Sequence, residues 1–239
     1  MSYREDLIIR SCDCDAYGRW KPSSVLEVMQ ETGIAHCDSV GLGRAVTDEM
    51  GVVWVLSRCR VELARLPMIG ERYSAETFAL PNRHLFFPRV HVFRDARGAA
   101  IGSALGLWML MDLSTRRTVM DERVASRLPV EAAAQAKLPG TVRPLPGTPV
   151  SGEIVPAFCE FDLNGHVNNT RYMDWCLNAI GFEALRDRAF GCFEINYDRE
   201  VRRGEAIRTE LRMDGGEGTF CGFIGAQRCF GIRFELKTA

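Results

Sequence analysis

Eight residues, "DLNGHVNN" from Asp162 to Asn169, hold one aspartate, three asparagines and one histidine, and the "TRYMDW" that follows has the spacing of a helix. Asp162 offers a base or a nucleophile, His166 a proton carrier near neutrality, and Asn164 a neutral hydrogen-bond donor. A helix starting beyond them points free amides and its positive dipole end back at the loop, where they would polarise a carbonyl oxygen. The set suits chemistry at a carbonyl. Turn formation is the plainer reading for each residue alone, with Asn169 capping a helix from about Thr170, but one cap needs one such side chain and here several compete. Calcium is excluded: "DLNGHV" opens like a calcium loop but has His166 at the fifth position and Val167, not glycine, at the sixth.

The elements that must hold this loop follow from periodicity. After it, Tyr172, Met173, Cys176 and Ile180 fall on one helical stripe and Arg171, Asp174 and Asn178 on the opposite face, so the stripe is core. Farther on, "EINYDREVRRGE" reads as a strand over residues 192–202, with Ile195, Tyr197, Arg199 and Val201 on one side and Asn196, Asp198 and Glu200 on the other. Taken alone, Glu200 is a solvated strand residue. Further strands are expected near 155–161, 205–213, 218–226 and 228–236, with "DGGEG" as a hairpin turn.

The N-terminal half shows the same order. Residues 3–9 form a strand, Pro22 stands in the first turn of a long helix with Val25, Leu26 and Met29 inward, and β-branched and aromatic runs from Gly51 to Arg117 make an antiparallel sheet. The proline-rich stretch 129–149 has no strand pattern and separates an N-terminal part, 1–128, from a C-terminal part, 150–239; it is expected to run extended over the surface. "CDCDAYG" at Cys12 aligns without a gap on "CEFDLNG" at Cys159, a duplication in which the counterparts of Asn164, His166, Asn168 and Asn169 are Tyr17, Arg19, Lys21 and Pro22. One half carries the polar set, which predicts a single site per chain.

Composition bounds the rest. The 239 residues are 46% hydrophobic and 26% charged with a formal net charge of -1, an ordinary globular balance that gives no bulk attraction to nucleic acid or an anionic membrane. Nine cysteines, an odd number and several in apolar runs, read as reduced thiols. Only Cys12-x-Cys14 is closely spaced, so no metal and no cofactor is expected. The first residues lack an apolar signal core, and a cytoplasmic location is expected.

The loop D-x-N-x-H-x-N-N with its aromatic-bearing helix, and Y-x-R-E at Tyr197 to Glu200, resemble the acyl-acyl carrier protein thioesterases of plant plastids and bacteria. The N-terminal half agrees through "WVLSRCRVELARLPMIGERYSAETF" and "LWMLMDLSTRR". The resemblance implies an α+β protein of two tandem hotdog folds, each a long helix wrapped by a curved antiparallel sheet. It further implies hydrolysis of the fatty acyl thioester of acyl carrier protein, which ends chain elongation. It carries the catalytic aspartate, asparagine and histidine onto Asp162, Asn164 and His166, and the catalytic glutamate onto Glu200. Plant members typically have cysteine directly after that glutamate; Val201 stands here, which excludes a cysteine nucleophile at that position. Without the plant members' targeting extension, the resemblance points to a bacterial cytosolic enzyme. An acyl-CoA thioesterase is the alternative, ahead of a non-catalytic sensor of acyl thioesters and an enoyl-thioester hydratase, and a homodimer is left open.

A thiolate of pKa ~8.5 leaves with little acid help, so such a site needs a base and an oxyanion hole. Either Glu200 or Asp162 then activates water or attacks directly, His166 orients the attack or protonates the leaving group, and Asn164 with the helix amides holds the oxyanion. Val25, Leu26, Met29, Trp54, Phe86 and Phe87 are expected to line the acyl tunnel. Arg116, Arg117, Arg199, Arg202 and Arg203 are expected to receive an acidic carrier protein.

Overall fold

In the computed structural model, which describes residues 2–132 and 137–238, Lys21 is extended and Pro22 opens helix α1 (Pro22–Ser39). Proline suits that position because its missing N–H would have had no helical partner. Val25, Leu26, Met29, Gly33, His36 and Cys37 recur at helical spacing and form the buried face. Gly41, at φ +71°, takes the left-handed conformation that lets the Leu42 amide return to the Cys37 carbonyl and stop the helix.

The remaining N-terminal elements are β1 (Tyr3–Ile8), α2 (Arg44–Glu49), β2 (Val52–Leu63), β3 (Arg72–Ala79), β4 (Phe87–Asp95), β5 (Ala100–Asp112), β6 (Thr118–Val119) and α3 (Glu122–Ala125). The C-terminal elements are β7 (Val150–Ile154), α4 (Arg171–Ile180), α5 (Phe182–Leu185), β8 (Arg188–Tyr197), β9 (Ile207–Asp214), β10 (Glu217–Ile224) and β11 (Gln227–Thr238). One antiparallel sheet has the order β1-β3-β4-β5-β2-β8-β11-β10-β9-β7, with β6 added beside β5. Read inward from either edge, the two halves have the same strand order. They meet where β2 pairs β8, Cys59 opposite Ile195 and Val61 opposite Phe193, all four fully buried. The architecture is α+β, two hotdog folds in tandem. A single apolar core runs through the junction and takes in Met29 of α1 and Met173 of α4. Burying a phenylalanine such as Phe193 there contributes on the order of 1.5–3 kcal/mol.

Three sequence expectations change. The strand expected near 155–161 lies earlier, as β7, because Pro156 has no amide for a ladder and the Glu160 carboxylate accepts the Ala157 amide at 2.6 Å, folding the chain into a single turn at Phe158–Glu160. The strand expected over 192–202 ends at Tyr197, since the Asp198 and Arg199 amides both donate to the Cys229 carbonyl at 2.8 and 3.0 Å and the alternation is lost there. Glu200 therefore sits on an irregular segment. The stretch 129–149, whose residues 133–136 lie outside the described residues, is also more than a surface run: Val142 is buried, and the buried Asn196 side chain accepts its amide at 2.7 Å and donates to the Gly140 carbonyl at 2.9 Å.

Candidate active site

The duplicated loops fold alike bond for bond. In the first half Asp15 accepts the amides of Tyr17 and Arg19 on Oδ1, the Asp15 amide donates to the Arg19 carbonyl, and Cys14 bridges Trp20. In the second, Asp162 Oδ1 accepts the amides of Asn164 at 2.8 Å and His166 at 3.4 Å, the Asp162 amide donates to the His166 carbonyl, and Phe161 bridges Val167. Gly18 and Gly165 both stand at φ +76°, where a side chain would be strained. The shared aspartate builds the loop in both copies. What differs is what hangs from it.

In the first copy Arg19, 6% exposed, turns inward to Asp15 Oδ2 and to the carbonyls of Leu185 and Arg188. It anchors its loop to α5 and β8. Arg19→Ala is expected to cost about 3 kcal/mol of stability, because it strands buried acceptors, yet to leave turnover per folded molecule unchanged. Chemical denaturation beside active-site-titrated turnover measures both, and a loss of turnover in the folded variant would mean that both loops take part in the reaction.

In the second copy the counterpart, His166, is part-buried and its Nε2 lies 3.0 Å from Glu200 Oε2. The backbone brings them together: the Val167 amide donates to the Val201 carbonyl and His166 bridges Arg202, so the loop is stitched to the segment that carries Glu200. Arg116 Nη2 donates to both Glu200 oxygens at 2.8 and 2.6 Å, and Arg202 Nη2 adds a longer contact of 3.3 Å. Asn164 Oδ1 accepts Arg44 Nη2 at 3.2 Å, while its Nδ2 reaches Asp162 Oδ2 at 3.4 Å. All four residues singled out in the sequence thus stand at one place, and the first half reaches into it with Arg44 of α2 and Arg116 of the turn after β5. Neither contact carries a sequence signal, because each partner lies more than eighty residues away.

Two local expectations are revised. Asn168, not Asn169, closes the start of α4: its Oδ1 accepts the Thr170 amide and hydroxyl at 2.9 and 2.8 Å and its carbonyl accepts the Arg171 amide. Those helix amides are therefore engaged. Asn169 instead gives its carbonyl to the Tyr197 hydroxyl at 2.9 Å. The arginine cluster is also narrower than expected, since Arg116 and Arg202 contact Glu200 and Arg199 pairs with Glu205; Arg117 and Arg203 have no carboxylate in ion-pair range among the described residues.

The site opens on a cleft of about 1280 Å³ that runs from Asp162, Asn164, His166 and Glu200 into the first half, past Leu42, Trp54, Leu56, Phe87, Trp108 and Leu128. Trp54 and Phe87 line it as expected. Val25, Leu26 and Met29 do not; they are spent in the core between α1 and the sheet, and Phe86 packs in a separate cluster with Leu80, Val90, Leu105 and Leu107. Among the described residues no three His, Cys, Asp or Glu side chains gather in a way that could hold a metal ion.

The tandem architecture is that of the solved structures it matches. An acyl-ACP thioesterase from Bacteroides thetaiotaomicron superposes with a TM-score of 0.90 at 21% identity, covering 99% of this chain and 98% of that one. The 12:0-ACP thioesterase of Umbellularia californica superposes at 0.87, again at 21% identity, covering 100% and 98%. The model of the acyl-ACP thioesterase N-terminal domain matches residues 1–126 and that of the C-terminal domain residues 148–223. The chain belongs to the acyl-ACP thioesterase family. Curated relatives include the chloroplastic acyl-[acyl-carrier-protein] hydrolase FATB3 of Cuphea viscosissima, 26% identical over 228 residues covering 90% of this chain and 55% of the relative. Another is the chloroplastic oleoyl-acyl carrier protein thioesterase 1 of Arabidopsis thaliana, 26% identical over 228 residues covering 87% and 62%. The chain thus spans little more than half the length of the curated relatives it matches.

Proposed function

We propose that this protein hydrolyses the thioester of fatty acyl-acyl carrier protein, releasing the free fatty acid and ending chain elongation. The observation that carries the reading is the His166 to Glu200 contact, 3.0 Å, at the mouth of an apolar cleft large enough for an acyl chain. Glu200 takes a proton from water as the water oxygen attacks the thioester carbon. The carbonyl becomes an oxyanion facing the Asn164 amide, a side chain exposed to the cleft and fixed by Arg44 and Asp162. As the carbon–sulfur bond breaks, the proton passes by way of His166 to the carrier's thiolate. Asp162 is a positioning residue in this scheme, because its Oδ1 holds the same loop amides that Asp15 holds in the half without the set. The N-terminal half supplies the acyl cleft and the two arginines that steady the site.

Acyl carrier protein, acidic on its docking face, would meet Arg117 and Arg203, the arginines beside the site without carboxylate partners among the described residues. Nine unpaired thiols support a reducing compartment, and we place the protein in the cytoplasm on that ground. Thiol release from matched acyl-carrier-protein and acyl-CoA substrates tests the carrier. The reading requires higher kcat/KM on the carrier protein, with a loss of that advantage as salt screens the arginines. Equal or greater kcat/KM on acyl-CoA, insensitive to salt, would assign the protein to acyl-CoA instead.

A further inference from the structure

The inner part of the cleft contains hydrogen-bond donors that nothing in the thioesterase chemistry uses. Arg89 of β4 is 6% exposed, lines the cleft, and has no carboxylate within ion-pair distance among the described residues. It donates from Nη1 to His36 Nδ1 at 2.7 Å and to Thr77 Oγ1 at a longer 3.4 Å, and from Nη2 to Cys37 Sγ at 3.5 Å, none of them a charged acceptor. A guanidinium has five N–H groups, so two lack an acceptor among the described residues. Because arginine can only donate, His36 must accept on Nδ1 and hold its proton on Nε2, which is buried without a partner among the described residues. Burial and then the Arg89 charge push the His36 pKa down to about 4, so the ring stays neutral. The indole Nε1 atoms of Trp54 and Trp108 likewise have no partner among the described residues, on two residues that line the same cleft.

Strand register fixes how far this group lies from β8, the strand that leads to Glu200. Arg89 lies opposite Gly106, Gly106 opposite Cys59, and Cys59 opposite Ile195, one row that crosses β4, β5, β2 and β8. Three strand spacings separate Arg89 from β8, roughly 14 Å across the sheet. Gly106, opposite Arg89, leaves the Trp108 indole edge room, since a Cβ there would come within 2.9 Å of Trp108 Nε1.

From this geometry we propose that the acyl chain accepted by the cleft bears an oxygen acceptor remote from the thioester, a keto, hydroxyl or carboxylate oxygen that Arg89 and the Trp108 indole bind. A plain methyl end seated there would leave several buried donors without acceptors, which is costly, whereas an oxygen satisfies them. The inference rests on the thioesterase reading and deepens it to a substrate class.

The test compares acyl-carrier thioesters of matched length over a series of lengths, plain against distally hydroxylated, keto or ω-carboxylated. The wild-type protein is expected to show kcat/KM at least ~tenfold higher for an oxygenated chain than for its plain counterpart at the length that reaches Arg89. In Arg89→Met the ratio is expected to fall to about one, and in Trp108→Phe, which keeps a ring but removes the N–H, to fall several-fold, roughly. A carboxylate preference or a keto and hydroxyl preference tells which oxygen is used. Plain chains hydrolysed as well as oxygenated ones at every length in the wild type would overturn the subsite while leaving the thioesterase standing. No hydrolysis of any acyl thioester would remove the thioesterase reading itself. The wild-type comparison decides the matter even if Arg89→Met fails to fold.

Discussion

Glu200→Gln is expected to lower kcat on acyl-acyl carrier protein by on the order of a hundredfold or more, the usual share of a general base, while KM changes little. Glutamine keeps the size of the side chain and an acceptor for Arg116, so the loop should hold, but it cannot take a proton from water. His166→Ala should cost a similar factor, because its Nε2 shares the Glu200 carboxylate. The double variant should be little worse than the poorer single one, since the two act as a unit. Steady-state thiol release by folded variants, checked by circular dichroism, measures all three. Turnover like the wild type in a folded Glu200→Gln protein would remove the glutamate from the chemistry, and additive losses in the double variant would separate it from His166.

Arg116→Gly is expected to lower kcat ten- to a hundredfold, roughly, without loss of stability. Arg116 is one of two non-glycine residues at positive φ among the described residues, at +57°, a conformation that costs about 1 kcal/mol or more for a residue with a Cβ. The turn that imposes it is well built. Asp112 Oδ1 accepts the amides and hydroxyls of Ser114 and Thr115 at 2.6 to 3.0 Å, and the Ser114 hydroxyl, followed by the Thr115 amide and hydroxyl, holds the Asp112 carboxyl down to about 2. Strain at that residue is tolerated because its guanidinium then grips both Glu200 oxygens from the opposite half of the chain. Glycine relieves the strain and removes the grip, so the melting temperature should stay or rise while turnover falls. Arg116→Lys, keeping the charge without the fork, should recover part of the rate. A destabilised Arg116→Gly protein with normal kcat would make the residue structural.

Which parts of this were legible in the sequence follows from how far each contact reaches. The loop from Asp162 was legible because five polar side chains in eight residues exceed what a turn needs, and the duplication because "CDCDAYG" and "CEFDLNG" align without a gap. The α1 and α4 faces followed from helical spacing. Glu200 drew notice only through resemblance, since the strand reading carried past Tyr197, and the sharing of one Cys229 carbonyl by two amides has no signature in composition. Arg116 read as a carrier-docking charge because its partner is 84 residues away. Arg89 lies in the run "FFPRVHVF", which reads as an ordinary strand; that its charge is buried with no carboxylate partner among the described residues became visible only when α1 was laid over it. Asp162 stood beside Glu200 in the sequence as base or nucleophile; the bonds it shares with Asp15 are the ground for the positioning part proposed for it above.

The central claim is that Glu200 and His166, held by Arg116, activate water against an acyl thioester. Its most direct test is a single-turnover reaction of purified protein with radiolabelled acyl-acyl carrier protein, following free fatty acid and free carrier thiol together. The account requires equimolar release of both by the wild type, with the rate constant reduced by at least ~hundredfold in Glu200→Gln. Undiminished release in the variant, or none from the wild type, would contradict it.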